Sequence, residues 1–415
     1  MKVKIYRGTH EIGGTCVELT AGNGKKLWID LGAPLNSSNP DISYVKNRVD
    51  ALLISHPHQD HHGLMENIGS EVPIFIGQLS LDLINAAKLF RAIPAFPGNF
   101  KKIEAWKAFT IADTFKVTPF LVDHSTPEAF AFLIDADNKR VFYSGDFRAT
   151  GRKNILYKKL TDKPPGNIDL LLMEGTMVQR ESHQYPKEDS VEQAMYHIFK
   201  EQKNSSFVVS SAQNIDRLVS VYRACKRTGK QLVIDIYTAW LLELVRKKSK
   251  NIPVMEWPEI KVYRHPGQAE KIKGSIYDTF LQRVTEHKTD NSVFTNPPGY
   301  VYFVRCPSEK LINRLKVNEI INIIYSQWEG YLMKEYEQYF TGYLNSLKAD
   351  NQINFTKIHT SGHATVPDLI YFAKAIDPKI IVPIHTGYPE TFKKEFEKEG
   401  IKNIILWEDG KEYEI

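Results

Sequence analysis

Cysteine is scarce in this chain: 3 in 415 residues, at Cys16, Cys225 and Cys306, far apart and without CxxC spacing. A disulfide framework or a thiolate metal site is therefore not expected, and the three read as small buried side chains in a reducing compartment. Long apolar runs are missing as well. No stretch reaches the roughly 18 apolar residues of a membrane-spanning helix. The start, Met1-Lys2-Val3-Lys4-Ile5-Tyr6-Arg7, alternates charge with bulk like a first strand and lacks the apolar core of a signal peptide. A cytoplasmic protein with no membrane partner is the expectation. Strong charge of one sign is also absent. The formal net charge of +5 permits a nucleic-acid partner without demanding one. The local basic clusters, Lys226-Arg227-Thr228-Gly229-Lys230 and Arg246-Lys247-Lys248-Ser249-Lys250, read more readily as solvated helix ends than as phosphate contacts.

What is present is an ordinary globular composition, 42% hydrophobic and 25% charged, too rich in core formers for disorder. The length exceeds one hydrophobic core, so two domains are expected. The first half reads as short strands separated by turns. Lys26 to Gly32 is a strand closing on glycine, and Ala51-Leu52-Leu53-Ile54-Ser55 is a buried strand. Phe130–Ile134 and Arg140–Tyr143 flank a polar turn as a hairpin. From about residue 180 the texture alternates helix and strand: a helix capped by Ser190, a strand at Phe207–Ser210, a helix from Asp216, a strand at Leu232–Asp235, and a helix from Ala239. That alternation predicts a parallel sheet. After about residue 350, short strands carrying histidines return, at Lys357-Ile358-His359 and Ile380–His385. The predicted organisation is a strand-rich host built from both ends, residues 1–180 and 351–415, interrupted by an α/β insert at 181–350.

The chemistry concentrates in His56-Pro57-His58-Gln59-Asp60-His61, led in by the apolar strand and closed by Gly63. A strand delivers its last residues to one sheet edge, where His56 and His58 can face one ion and Asp60 and His61 a neighbouring point. Imidazole with carboxylate suits zinc or manganese, and nitrogen-rich coordination favours zinc. His62 reads as a bystander. Six further residues stand at strand ends or tight turns: His124, Asp146 after Gly145, Glu174, His359, His363 and His385. Each taken singly also reads as a hydrogen-bonded structural side chain.

The ordered set His56-x-His58-x-Asp60-His61, then His124 and Asp146, resembles the metallo-β-lactamase superfamily, whose fold is an αββα sandwich with a dinuclear site at one sheet edge. Glu174 at a strand end, His363 in Thr360-Ser361-Gly362-His363-Ala364, and His385 in Val382-Pro383-Ile384-His385-Thr386 resemble motifs A, B and C of its β-CASP subgroup. That subgroup of nucleic-acid processing enzymes includes ribonuclease J and the 3′-end cleavage endonuclease of messenger-RNA maturation. Ser210–Arg217 and Tyr325–Tyr331 resemble its inserted domain less specifically. The resemblance implies two divalent ions, zinc with manganese as the alternative. One is expected on His56, His58 and His124, the other on Asp60, His61 and His385, with Asp146 bridging. It implies catalytic roles for Asp60, for His363 as proton donor and for Glu174 as the residue orienting it. Ser326 and Ser361 are candidates for a phosphate beside the scissile one, and Trp328 and Tyr331 for base stacking or for core packing. Asp30 is expected in a supporting position and His359 in a structural one. Relatives often carry an acidic residue close behind the motif C histidine, where this chain has Thr386-Gly387, and many carry a C-terminal assembly domain that is not expected here.

The function expected is a two-metal phosphodiesterase acting on single-stranded nucleic acid, RNA first and DNA second, by internal or 5′-end cleavage, with a homodimer open. The competing expectation is a hydrolase of a small ester, lactone, thioester or phosphonate, against which the insert and the three later motifs argue. A redox di-iron protein on the same sandwich would carry a carboxylate suited to iron where His58 stands, and a catalytically silent binding module would have lost ligands that are all present.

Overall fold

In the first strand the alternation of side chains decides which face is buried. Val3 and Ile5 of β1 (Lys2–Arg7) have no exposure, whereas Lys2 points to solvent. The computed structural model describes residues 1–35, 41–180, 186–201, 204–274, 277–290, 299–317, 319–333 and 340–415. β2 (Cys16–Thr20), β3 (Lys26–Ile29), β4 (Ala51–Leu53), β5 (Pro73–Gly77) and β6 (Asn99–Ile103) follow β1 in spatial order, and β19 (Glu412–Glu414) closes its other edge. The first three strands and β19 pair antiparallel; β3 to β6 run parallel.

A second sheet contains β7 (Phe109–Ile111), β8 (Phe115–Val122), β9 (Ala129–Ala136), β10 (Lys139–Tyr143), β11 (Leu170–Glu174) and β18 (Ile380–Ile384), in the order β18-β11-β10-β9-β8-β7. The expected hairpin is β9–β10. Its turn is only Asp137-Asn138, both at positive φ (51° and 57°), as a two-residue turn of matching twist requires and as these residue types tolerate. Val3, Ile5, Val17, Leu27 and Ile29 of the first sheet pack against Phe130, Phe132, Tyr143, Leu170, Leu172 and Val382 of the second. The other face of the second sheet, with Phe142, Leu171, Met173 and Ile381, is covered by the helices Ile155–Asp162, Val366–Ile376 and Pro389–Lys398. β11 is therefore buried on both faces, which is why it reads as the uninterrupted apolar run Leu170–Met173. The sandwich expectation holds.

The third sheet is wholly parallel. It orders β12 (Ser206–Val209), β13 (Gln231–Asp235), β14 (Ile260–Tyr263), β15 (Tyr300–Val304), β16 (Ile321–Tyr325) and β17 (Ile353–Lys357) as β14-β13-β15-β12-β16-β17. The helix expected to begin at Ser190 begins at Glu188, because the amides of Ser190 and Val191 already bond back to the Lys187 carbonyl.

Two compact units emerge: residues 1–81, 96–182 and 362–415 form one, and 82–95 with 183–361 the other. The expected boundary at 180/181 abuts residues 181–185, outside the described residues. The return to the first unit comes at 362 rather than 351, because β17 pairs with β16 along its whole length, from Ile321↔Ile353 to Tyr325↔Lys357. Residues 82–95, drawn with the host from sequence, group with the second unit. There the Phe90 carbonyl accepts a 2.6 Å hydrogen bond from Lys271 Nζ, and the Phe90 ring lies 5.2 Å from that of Tyr237. No described helix is long and apolar enough to cross a membrane.

The first unit takes its last two strands from the C-terminal segment, β18 beside β11 and β19 beside β1. Protein cleaved near residues 183 and 361 should therefore keep its N- and C-terminal fragments together in native size-exclusion chromatography, separating only in denaturant. Separate elution under native conditions would show that the sandwich is not built from both ends.

Candidate metal centre

β10, β11 and β18 are parallel neighbours in register, with Met173 opposite Pro383 and Glu174 opposite Ile384, so their C-terminal ends arrive at one edge. Asp146 follows β10, Glu174 ends β11 and His385 follows β18. β4 leads into the loop carrying His56 and His58 and the short helix Gln59–His62. Glycine allows two close approaches on the way. A Cβ on Gly32 would lie 1.7 Å from the Asp60 carbonyl oxygen, and Gly145 combines positive φ (54°) with a Cβ position 2.4 Å from the Phe130 carbonyl oxygen.

All nine residues expected as ligands or catalytic groups lie in the first unit. His56 Nε2 is 3.2 Å from His58 Nδ1, which is 3.1 Å from His124 Nε2. His61 Nε2 is 3.1 Å from Asp146 Oδ2, and His385 Nε2 is 3.2 Å from Asp60 Oδ2. His56 Nε2 lies 3.7 Å from the same Asp146 oxygen. Groupings with potential ligand atoms within 4.8 Å of one another are His56/His58/His124, Asp60/His61/His385, His56/His61/Asp146 and Asp146/Glu174/His363/His385. The carboxylate of Asp146 thus belongs with the second and first sets of histidines alike.

Supporting contacts aim these rings. Asp30, at φ 58°, is fully buried. It accepts from the Ser55 amide at 2.7 Å, the Ser55 hydroxyl at 2.7 Å, the Tyr143 hydroxyl at 2.6 Å and His61 Nδ1 at 2.7 Å. His124 Nδ1 donates to the Gly362 carbonyl at 2.6 Å. His385 Nδ1 lies 2.9 Å from Thr176 Oγ1. His363 Nδ1 lies 2.9 Å from Glu174 Oε2, while Glu174 Oε1 accepts from the Phe147 amide at 2.9 Å. Ser55, Tyr143 and Thr176 escaped the sequence reading. Hydroxyls beside strand ends carry no spacing signal, and only the fold brings them to the rings.

Burial holds His56 and His124 well below the ordinary histidine value of 6.5, and takes His58 and His62 down to about 4, leaving the first three neutral with lone pairs available at neutral pH. Burial pulls His61 down too, but Asp146, Asp30 and Asp60 outweigh it and raise that ring. At Asp60 and Asp146, burial would raise the carboxyls; neighbouring histidines overcome it and hold both ionised.

These residues fit a divalent cation. Zinc–nitrogen bonds of 2.0–2.1 Å in a tetrahedron separate ligand atoms by roughly 3.3 Å, close to the 3.1 and 3.2 Å found among His56, His58 and His124. Among the described residues His61 Nε2 is buried without a well-formed hydrogen bond, 3.1 Å from Asp146 Oδ2, and a cation between the two would satisfy both. Among the described residues His62 enters no ligand grouping, in keeping with its reading as a bystander.

Other expectations fare differently. Ser326 and Ser361 belong to the second unit. The Ser326 hydroxyl donates to the Ile358 carbonyl and accepts from Arg217, and the side chain is 1% exposed. It has no free donor for a phosphate. His359 Nδ1 lies 3.4 Å from Arg217 Nη1 of that same network. Trp328 and Tyr331 pack edge to face on each other at 5.3 Å. At Gly362 a Cβ would lie 2.8 Å from Ser125 Oγ and 3.3 Å from His124 Cε1, so its neighbours leave little room for a side chain.

Residues 28–204 match the family described as beta-lactamase superfamily domain, and residues 352–406 match the Zn-dependent metallo-hydrolase RNA specificity domain. Ribonuclease J of Helicobacter pylori (strain B128) is 22% identical over 100% of this chain and 60% of its own length. Ribonuclease J of Mycoplasma pneumoniae is 24% identical over 93% of this chain and 68% of its own length. That of Pyrococcus abyssi is 20% identical over 100% and 97%. The chain thus spans about three fifths of the Helicobacter relatives. A crystal structure of a protein of unknown function from Enterococcus faecalis V583 shares the fold, with a TM-score of 0.72 and 21% identity over 99% of each chain.

Two outcomes follow from the buried polar groups. Asp30→Asn replaces one acceptor oxygen by a donor and should cost about 1–3 kcal/mol of stability, the range for leaving a buried polar group unsatisfied. It should also lower metal content, read by chemical denaturation and elemental analysis; unchanged metal content would separate Asp30 from ligand positioning. The second outcome concerns pH in metal-free protein. Folded His56, His58, His62 and His124 titrate below 6.5, so the unfolded chain binds more protons as pH falls from 6.5 toward 4, and stability falls with it. His61 and His363, raised in the folded state, are protonated in both states there and add no slope. Asp409, raised by burial, is the described carboxyl with a resolved shift that opposes the trend. Denaturant midpoints that stay level from pH 6.5 to 4 would contradict this account.

Proposed function

Because the chain belongs to the metallo-β-lactamase superfamily and to its ribonuclease J-like β-CASP group, we propose that it is a metal-dependent phosphodiesterase cleaving single-stranded RNA. Two zinc ions are assigned to the centre, one on His56, His58 and His124, the other on Asp60, His61 and His385, with Asp146 reaching toward both. Bound there, they would stabilise charge on the phosphoryl oxygens and ease deprotonation of water.

The remaining work falls to side chains. Asp60, 16% exposed, is the assigned aligner of the attacking water. A ribose oxygen leaving as an alkoxide needs a proton, and His363 is the assigned donor. Its side chain is 20% exposed, enough for substrate to reach it, and Glu174 holds the ring through Nδ1. Burial would drain the proton from this ring; Glu174 and Asp146 reverse that and hold it above the ordinary value. The observation that carries the reading is this His363–Glu174 pair, set 3.8 Å from Asp146 at the border of the ligand cluster. The RNA specificity match over 352–406 contains both His363 and His385 and supports RNA over a small ester.

His363→Ala should keep both ions yet slow RNA cleavage roughly 10²–10⁴-fold, the span expected for a lost proton donor. Asp146→Ala should lose metal and activity together. A phosphorothiolate at the scissile bond needs little protonation of its leaving sulfur, so it should restore much of the rate to the His363 variant and none to the Asp146 variant. Equal slowing of both substrates by His363→Ala would remove the acid role. Loss of an ion in that variant would instead favour the Asp146/Glu174/His363/His385 grouping as a ligand set.

A further inference from the structure

Each inward-facing histidine needs its second ring nitrogen held from behind. For three of them the partner can only accept: the Asp30 carboxylate for His61, the Gly362 carbonyl for His124, the Glu174 carboxylate for His363. An acceptor fixes the proton on the nitrogen it faces. At His385 the partner is the Thr176 hydroxyl, which both donates and accepts.

Thr176 Oγ1 is 2.9 Å from His385 Nδ1 and 3.3 Å from the carbonyl oxygen of the same histidine. Two hydrogen arrangements satisfy this geometry. In one, the hydroxyl donates to Nδ1 and the ring proton sits on Nε2, facing Asp60. In the other, the hydroxyl donates to the carbonyl and accepts from Nδ1–H, which leaves a bare lone pair on Nε2. Only the second arrangement lets Nε2 bind a cation. The first takes the hydroxyl hydrogen away from the His385 carbonyl, whereas the second serves both the carbonyl and Nδ1; with Thr176 and His385 each 1% exposed, water is poorly placed to take the hydroxyl's part.

The backbone adds a second constraint. His385 sits at φ 49°, a left-handed conformation that strains a non-glycine residue. The hydroxyl ties both the ring and the carbonyl of this one residue. Gly175 lets the two turns close, since a Cβ there would lie 2.9 Å from Thr386 Cβ.

We propose that Thr176 is the positioning residue that sets the His385 ring for ion binding, its hydroxyl accepting Nδ1–H while passing its own hydrogen to the His385 carbonyl. This rests on the reading of His385 as a ligand. Thr176→Val keeps the shape and removes the hydroxyl; Thr176→Ser restores it. In zinc titrations against a competing chelator, wild type should take up two ions. Thr176→Val should bind the one on Asp60, His61 and His385 about 10–100-fold more weakly, the usual effect of losing such a supporting contact, with the other unchanged. Thr176→Ser should return close to wild type, and His385→Ala sets the limit of full loss. Melting of the metal-free variants, measured alongside, separates general destabilisation from the zinc-dependent part. Should Thr176→Val not fold, nitrogen NMR of zinc-loaded wild type decides: a slowly exchanging His385 Nδ1–H supports the assignment, and a rapidly exchanging one overturns it. Wild-type affinity for both ions in Thr176→Val, or equal weakening in Thr176→Ser, also overturns it. A wild type that binds no second ion overturns the two-ion reading and this proposal with it.

Discussion

The carboxylate of Asp30 is the contact on which the rest of the centre depends. It stands just past β3, takes the amide and hydroxyl of Ser55 after β4, reaches across the sandwich to the Tyr143 hydroxyl of β10, and holds His61 Nδ1. Four donors on one fully buried carboxylate link two sheets to the ligand loop through a single charged group. Burying that charge without such partners would cost several kcal/mol. With them the cost is offset, and the loop inherits the rigidity of the core. The left-handed backbone at Asp30 is maintained by the same set of contacts.

A second constraint is electrostatic. Six imidazoles and the carboxylates of Asp60, Asp146 and Glu174 share a small, largely buried region. Neither all-neutral nor all-charged rings satisfy it. Burial keeps His56, His58 and His124 neutral, each with one lone pair, and their facing nitrogens lie 3.1–3.2 Å apart. His61, among three carboxylates, is driven the other way. A divalent cation would resolve both conflicts, because it would give the lone pairs a shared partner and supply the positive charge that the carboxylates draw from His61. Glu174 differs from the other carboxylates: one oxygen accepts from the Phe147 amide and the other faces His363 Nδ1.

Much of this was legible in the sequence, for identifiable reasons. The loop His56–His61 compresses ligands into one strand-end segment, so spacing alone announces it. Asp146, Glu174 and His385 were legible because each terminates an apolar strand, and parallel neighbours end together. The sandwich strands followed from alternation, and β11 from its unbroken apolar run. What stayed hidden depended on contacts distant in sequence. Thr176 and His385 are 209 positions apart, and Tyr143 is 113 from Asp30. The placement of Ser326 failed for a related reason: its loop looked available, but Arg217, buried in the same unit, had claimed the hydroxyl. The return point near 351 was misjudged because β17 looks like any short strand until its pairing with β16 is known.

That pairing bears on why so large an insertion leaves the centre intact. Glu174 and His363 are separated by 189 positions, most of them in the second unit, yet their side chains meet at 2.9 Å. β11 and β18 lie side by side and parallel, and parallel neighbours require a long crossover in any case. The helix Val366–Ile376, packed on the outer face of the second sheet, serves as that crossover. It is fixed at its start by a capping box between Thr365 and Asp368, and by the Tyr157 hydroxyl donating to the Asp368 carbonyl. The inserted chain enters upstream of this cap. Residues 362 onward are thus held by the sandwich itself, through His124 on the Gly362 carbonyl and the cap that follows. The ends of the insertion are set by the sandwich and its length is not, because the entropy of closing such a connection grows only slowly with the number of residues inside it. The chemistry and the unit carried between its motifs can therefore change independently.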